Sequence, residues 1–563
     1  MTSSVLDAFI DGIPFVPDAF QIDALTSVDA GRSVVVTAPT GAGKTLVADG
    51  SIAVTLAKGL RAFYTTPIKA LSNQKFNDLT SVHGHENVGL LTGDNVINGD
   101  APIIVMTTEV LRNMIYEGSS ALDDLGLVVL DEVHYLADRH RGSVWEEIII
   151  HLSKSIQLVC LSATVANPEE FTDWVRERRG ACDLVVETER PVPLTSMYMW
   201  RDKHRESQIA MAPVFGKNGR PNGAIRKMLT SSKGRHRRFS TPRRVSVVRE
   251  LDHNGLLPCI YFVFSRKGCD QTAHEIAHAS FDFTSAEERT TIRAIAEAHV
   301  AHLSANDLTV LGYERWLSVL ERGVASHHAG LIPAFKETVE ELFVRGLVKV
   351  VAATETLALG INMPARTVVL DSLSKFDGES HEPLRPSDYT QLTGRAGRRG
   401  IDTEGTAIVL YSSYVPFDRV SAIAAKGSNP LRSSFAPTYN MAVNLIARYD
   451  KQTAHQLLDA SFANFSVEQR SEQLRQNLSD RKADLATFRA AAECDRGDIW
   501  AIRDPGAGSS SRKADTNLLQ IGSIIEFKGT QLVLLGRSWG GGHPKLLLTD
   551  AAGKRTMIRV RDL

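Results

Sequence analysis

The sequence predicts an α/β fold: two tandem parallel-sheet domains, then a helical segment, a charged helix and a small β module. Three observations predict it. Between Val34 and Leu161 short strand-like apolar runs alternate with helix-length amphipathic segments, and the same rhythm returns from about 253 to 415. Within the first run, VVVTAPTGAGKT joins a β segment to a helix through a glycine-bearing turn. Past Val415 the period becomes helical, and from about 513 short strands alternate with Gly and Asp turns.

A chain of 563 residues exceeds what one hydrophobic core supports, so several domains of about 100–200 residues are expected. Hydrophobic residues at 43% and charged residues at 23% are ordinary globular usage. No apolar stretch reaches the roughly 20 residues a membrane span needs, so no membrane partner is expected. MTSSVLDAFIDGIPF lacks the basic-then-apolar pattern of a secretory signal, and a cytoplasmic location is expected. The five cysteines are odd in number and in no CxxC pattern, which predicts free thiols rather than disulfides or a zinc site. A formal charge of −1 conceals an asymmetry: Lys217 to Arg249 contains no acidic residue. That run reads as a solvated basic linker, as a phosphate-contacting segment, or as both.

The strand candidates are SVVVTA, RAFYTT, PIIVMT, LGLVVLD and QLVCLSA, then PCIYFVF, LVKVVAAT, ARTVVLDS and GTAIVLYS. They place one α/β domain at 14–195 and another at 253–415, joined by the basic linker 196–252 and separated by a cleft. Helices are expected over 416–466, and a charged helix with the GAGSSS linker over 467–512. A small β module is expected over 513–563.

In VVVTAPTGAGKT, the loop Thr40, Gly41, Ala42, Gly43 lets successive N–H groups and the following helix N-terminus approach phosphate without a Cβ clash. Lys44 reaches the β- and γ-phosphates, and the Thr45 hydroxyl ligates Mg²⁺. Ala38 stands where the general pattern has its first glycine. The adjacent carboxylates Asp131 and Glu132 end the apolar run LVVL. With LVVLDE beside the phosphate strand, Asp131 sits at the mouth of the sheet with its charge compensated by Mg²⁺, and Glu132 orients or deprotonates the attacking water. Buried without an ion or water, such a pair would be costly. These residues predict an ATPase using ATP and Mg²⁺.

The strings APTGAGKT, DEVH, LSAT, ATETLALGIN and QLTGRAGRRG occur in the order seen in superfamily 2 helicases, which the chain resembles. RGSVWEE, LSATVANPEEFTDWV, FDGESHEPLRPSDYTQLTGRAGRRGIDTEG and NPLRSSFAPTYNMAVNLI resemble the DExH helicases of the superkiller, exosome-associated type, especially a bacterial HelY-like branch, over about 10–470. The resemblance implies RecA-like domains at 14–195 and 253–415, a winged-helix domain at 416–466, a helical stalk at 467–512 and a β-barrel-like module at 513–563. It further implies a ratchet bundle that the residues up to Leu563 do not provide, and hence weak strand retention.

By the same resemblance, Phe15 stacks on adenine, Gln21 hydrogen-bonds its edge and Gly360 joins the nucleotide contacts. Arg395 and Arg398 reach across the cleft, Gln391 positions the γ-phosphate or water, and Arg399 is structural or solvent-facing. Pro67, Lys69, Gln74, Thr108, Arg112, Ser265, Arg266 and Thr354 line a strand path, contacting phosphate rather than bases. Ser162 and Thr164 couple it to hydrolysis. LDSLSKFDGESHEPLRPSDY forms a hairpin that parts a duplex. His327 and His328 are packing or strand contacts rather than metal ligands. The expected function is an ATP-dependent RNA helicase or translocase, 3′→5′, acting on single-stranded or overhang-bearing nucleic acid, with RNA-decay partner proteins. A DNA helicase of repair or recombination and an ATP-switched binding module without processive unwinding remain as alternatives.

Overall fold

The computed structural model describes residues 4–139, 141–203, 208–230, 238–358, 363–376, 381–425, 430–492, 521–540 and 543–560. The chain divides into two compact units, Met1–Ser471 and Glu472–Leu563.

The first unit contains two large sheets whose central strands are buried on both faces. In the first, the strand order is Asn95–Ile97, Val88–Thr92, Ile103–Thr107, Arg61–Thr66, Leu125–Leu130, Gln157–Ser162, Ser33–Thr37, Cys182–Val186. Neighbours are parallel except for the edge hairpin of Val88–Thr92 with Asn95–Ile97. Val34, Val36, Tyr64, Val129 and Val159 enter one buried cluster, whereas Val35, Phe63, Val128, Leu130 and Leu158 enter another. Burial on both sides is why these strands read as unbroken apolar runs. Because the strands are parallel, their C-terminal ends share one edge. The phosphate loop after Thr37, the carboxylates after Leu130 and the LSAT motif all emerge there.

Two expectations are corrected. LVVLDE does not lie beside the phosphate strand: Gln157–Ser162 is inserted between them, pairing Val159 with Val34 and Gln157 with Leu127. All three strands are parallel, so Asp131 still emerges at the edge where Gly41 does. Nor is 196–252 a linker. Leu194–Asp202 is an inner strand of the second sheet, parallel to Gly405–Leu410 and antiparallel to Ile209–Pro213, and helix Arg244–His253 follows. The acid-free run hid this because its charge is compensated from outside it: Arg238 pairs with Asp202 at 2.6 Å, Arg244 with Asp371 at 2.9 Å and Arg226 with Asp418 at 3.1 Å.

The rest of the second sheet runs Thr367–Leu370, Cys259–Phe262, Val350–Ala353, Val324–His327. The expected hairpin pairs Ser374 with Pro383 and Lys375 with Glu382; its tip lies outside the described residues.

The segment expected as a winged helix is helical in its described elements: Phe417–Ala425, Tyr439–Arg448, Lys451–Asp459 and the start of Phe462–Ala492. It returns to the first domain. Leu431, Phe462 and Phe465 join the cluster holding Phe171 and Trp174. Trp174 Nε1 donates to the Ala460 carbonyl at 2.9 Å, and the Asn167 amide pairs with both backbone groups of Leu431 at 2.5 and 3.0 Å. Glu146, fully buried, accepts from the Ser433 hydroxyl at 2.5 Å and the Phe462 N–H at 2.8 Å, and burial pushes its carboxyl up to about 7.

In the second unit, Ile524–Phe527, Thr530–Gly540, His543–Thr549 and Arg555–Arg559 form an antiparallel meander over Leu532, Leu534, Leu546, Leu548 and Ile558. Among the described residues this is an open four-stranded sheet rather than a closed barrel.

Candidate active site

Helix Thr45–Ala57 opens directly after Lys44, at the end of the phosphate loop. Gly41 and Gly43 have φ of +84° and +88°, and a Cβ on Gly43 would lie 2.8 Å from Gln21 Nε2. A side chain at Gly43 is therefore barred both by conformation and by space. Lys44 Nζ donates to the carbonyls of Ala38 at 2.9 Å and Pro39 at 3.2 Å. Burial lowers its pKa, while the nearby Glu132 and Asp131 act to raise it.

The two carboxylates have different environments. Asp131 accepts from the Tyr64 hydroxyl at 2.8 Å and from the Glu132 N–H at 2.9 Å; burial, then Glu132, push it up to about 6. Glu132 takes the left-handed conformation, φ +52°, strain of order 1–3 kcal/mol for a non-glycine residue. Its Oε2 lies 3.3 Å from His134 Nδ1. The same ring nitrogen accepts from the Ala163 N–H at 3.4 Å, and burial lowers the imidazole's pKa, favouring the neutral acceptor. His134 Nδ1 is thus held by LSAT and lies within reach of Glu132, to which an unprotonated nitrogen does not donate; within LSAT, Ser162 donates to the Ala163 carbonyl at 2.9 Å. Thr164 lines the adjoining cavity.

The Thr45 hydroxyl and Asp131 carboxylate are the hard oxygen donors Mg²⁺ takes, and a buried carboxylate whose charge is resisted by its surroundings gains most from a divalent cation. The residues fit the ion. When bound, it would neutralise charge on the phosphate oxygens.

The second domain brings its arginine motif onto this site. A Cβ on Gly394 would lie 3.0 Å from Thr40 Cβ, so the two domains touch at the phosphate loop. Arg395 is 8% exposed, donates to the Ala358 carbonyl at 2.6 Å, and is within electrostatic range of Glu132 and Lys44. Gln391 and Tyr135 of the first domain line one cavity. It measures about 660 Å³ and is also lined by Thr40, His134, Thr164, Glu355 and Arg432 among others.

The next two arginines differ from expectation in the partners they take. Arg398 turns onto its own loop, making two bonds of 2.8 Å to Asp402. Arg399 crosses the cleft instead, donating to the Ala42 carbonyl at 3.1 Å and to Asp18 at 2.9 Å. The signal for the first was legible, an acid four residues after Arg398. The partner of Arg399 lies 381 residues away, beyond any spacing argument.

At the expected adenine end, Phe15 is 54% exposed, while Gln21 is buried with its amide engaged at both ends. Oε1 accepts from the Asp18 N–H and Nε2 donates to the Gly43 carbonyl, each at 2.8 Å. Gln21 thereby braces the phosphate loop. Gly360 lies outside the described residues.

The expected strand contacts divide between the two sheets, each following the C-terminal end of a strand. Pro67, Lys69 and Gln74 follow Arg61–Thr66, and Thr108 and Arg112 follow Ile103–Thr107. Ser265 and Arg266 follow Cys259–Phe262, and Thr354 follows Val350–Ala353. Their local engagements differ. Lys69 pairs with Asp94. Buried Thr108 donates to the Thr66 carbonyl at 2.9 Å, bracing one strand end on the next. Arg112 lies on Asn113 at 3.0 Å and 4.0 Å from Glu147. Ser265 caps its helix by accepting from the Gly268 N–H at 3.2 Å, and the hydroxyls of Thr354 and Thr356 are 2.9 Å apart.

Sequence reasoning missed three supports. Arg141, in RGSVWEE, donates to the Pro67 carbonyl and pairs with Glu109, tying two strand-contact loops together. Arg190 donates to the Ala396 carbonyl at 2.9 Å, holding the arginine motif. Lys75 sits beside Thr45. His327 pairs with Glu340 and His328 with Asp270; among the described residues no group of three or more His, Cys, Asp or Glu side chains forms a metal cluster, and no helix is long and apolar enough to cross a membrane.

Two family models match where the geometry places the chemistry: DEAD/DEAH box helicase over residues 18–171 and helicase conserved C-terminal domain over residues 297–400. The chain is 48% identical over 478 residues to the probable helicase HelY of Mycobacterium tuberculosis, covering 82% of this chain and 53% of that protein. This chain belongs to the superkiller-type DExH-box helicases of superfamily 2. It is also 40% identical to the DExH-box ATP-dependent RNA helicase DExH15, chloroplastic, of Arabidopsis thaliana, covering 78% of this chain and 41% of that one. Identity to human superkiller complex protein 2 is 38%, covering 83% and 38% respectively. This DExH-box chain spans about half the length, 53%, of the HelY proteins it matches.

Proposed function

We propose that this chain is an ATP- and Mg²⁺-dependent RNA helicase or translocase that moves 3′→5′ from a single-stranded overhang. Its setting is RNA decay or processing in the cytoplasm, beside RNA-decay partner proteins. The observation that carries the reading is that Arg395 faces Lys44 and Glu132 across one cleft, while Arg399 reaches the phosphate loop at the Ala42 carbonyl. Bound ATP then contacts both domains and favours their closure, and loss of its terminal phosphate removes that differential contact. Glu132 takes the proton of the attacking water. Once protonated, Glu132 can donate to His134 Nδ1 in competition with the Ala163 N–H, and the change at Glu132 passes in this way toward the strand-contact edge. Arg395, largely stripped of water, meets the charge that develops on the transferred phosphate. We assign 14–195 as the first motor domain, 253–415 together with the strands and helix of 196–252 as the second, 416–466 as the winged-helix domain, 467–512 as the stalk and 513–563 as the β module.

The choice of RNA over DNA follows the relatives named as RNA helicases; phosphate-directed contacts alone barely distinguish the sugars. The test measures ATPase rate with and without single-stranded RNA and DNA over a salt series, alongside displacement of a strand from a 3′-tailed duplex. RNA should stimulate more than DNA, and stimulation should weaken as salt rises. An ATPase indifferent to both polymers would overturn the motor reading, and binding without displacement would leave an ATP-switched clamp.

A further inference from the structure

Lys75 belongs to helix Lys69–His83, which also carries Lys69 and Gln74. Its side chain is 13% exposed, and its ammonium lies 3.4 Å from Thr45 Oγ1 and 3.6 Å from Asp78 Oδ2. It also stands over the Tyr64 ring, 5.8 Å from the centroid, and the Tyr64 hydroxyl donates to Asp131 at 2.8 Å. Its field acts on Asp131 and on the buried carboxyl of Asp49. One cation therefore touches the first of the two groups that would hold a divalent ion and acts electrostatically on the second.

We propose that Lys75 is the resident counter-charge of the metal site: it stands where the field of the divalent cation is needed, and binding of that cation drives it away toward Asp78. A lysine suits this role. Its charge is compact, its four-carbon stem is flexible, and the acid at i+3, already 3.6 Å away, can hold it when it leaves Thr45. Lys75 follows Gln74 directly, so its displacement acts on the helix that carries the proposed strand contacts, giving that helix a direct report of the metal's arrival. The inference rests on the nucleotide-site reading.

The test uses Mn²⁺, visible by electron paramagnetic resonance, titrated into the full chain saturated with ADP. Lys75→Met should bind Mn²⁺ about tenfold more tightly than wild type, since a unit charge a few ångströms from a divalent ion is removed from a site of low effective dielectric. Lys75→Gln, polar and uncharged, should show the same gain, and Lys75→Arg should stay within about twofold of wild type. Equal or weaker Mn²⁺ affinity in the two neutral variants overturns the proposal, as does a Lys75→Arg protein that behaves like Lys75→Met. A wild-type protein that takes up no Mn²⁺ with ADP overturns the nucleotide-site reading and this inference with it. Wild-type uptake with unchanged variants overturns the role of Lys75 alone.

Discussion

Replacing Arg399 by alanine separates a residue that closes the cleft from one that acts on the reacting phosphate. Arg399 pairs with Asp18 at 2.8 Å, the two side chains being 41% and 38% exposed. A pair that open to solvent contributes no more than about 1 kcal/mol. The bond to the Ala42 carbonyl adds about 1 kcal/mol more. Losing both costs closure roughly 1–2 kcal/mol, so the KM for ATP should rise about five- to thirtyfold. The kcat should hold within about threefold, because the guanidinium touches loop backbone rather than the site of phosphoryl transfer. Arg395→Ala should do the reverse, lowering kcat by about 10³ or more, as for other arginines that meet transferred phosphate. Steady-state ATPase at saturating single-stranded RNA reads both quantities. Asp18→Asn should reproduce part of the KM effect, and the double variant should fall short of the sum, since both substitutions break one contact. A collapse of kcat in Arg399→Ala with KM unchanged would refute the assignment and move Arg399 to the reacting phosphate.

Other substitutions test the remaining contacts. Glu132→Gln should lower kcat by about 10²–10⁴ while ATP binding persists, measured by turnover and by fluorescent-nucleotide affinity. Glu146, with its folded carboxyl near 7 against an ordinary 4.5, binds more protons folded than unfolded between those values. Its contribution therefore falls as pH rises from about 4.5 to 7, by up to about 3 kcal/mol, and is level above; urea midpoints should show this slope, and Glu146→Gln should lose it. Trp174→Ala removes a fully buried ring and the donor to Ala460, and should cost about 3–5 kcal/mol in the same unfolding assay.

The strands legible in the sequence are those buried on both faces, such as SVVVT and LGLVVL, where an unbroken apolar run has no rival explanation. Leu194–Asp202 carries its apolar residues among polar ones, and Val324–His327 contains Ser326 and His327, so neither presents an unbroken apolar run. Each is a strand by virtue of the neighbour it pairs with.

The sequence by itself determined the chemistry: a glycine loop ending in Lys44 and Thr45, adjacent carboxylates after an apolar run, and a cluster of arginines in a second domain. Those properties are local, set by a few consecutive residues and the backbone they permit. Tertiary structure decided that Gln157–Ser162 separates the two nucleotide-site strands, that Arg399 rather than Arg398 spans the cleft, and that Lys75 stands beside Thr45. These depend on how two buried sheets dock, a sum over many individually unspecific apolar contacts, and no short stretch of residues encodes that sum.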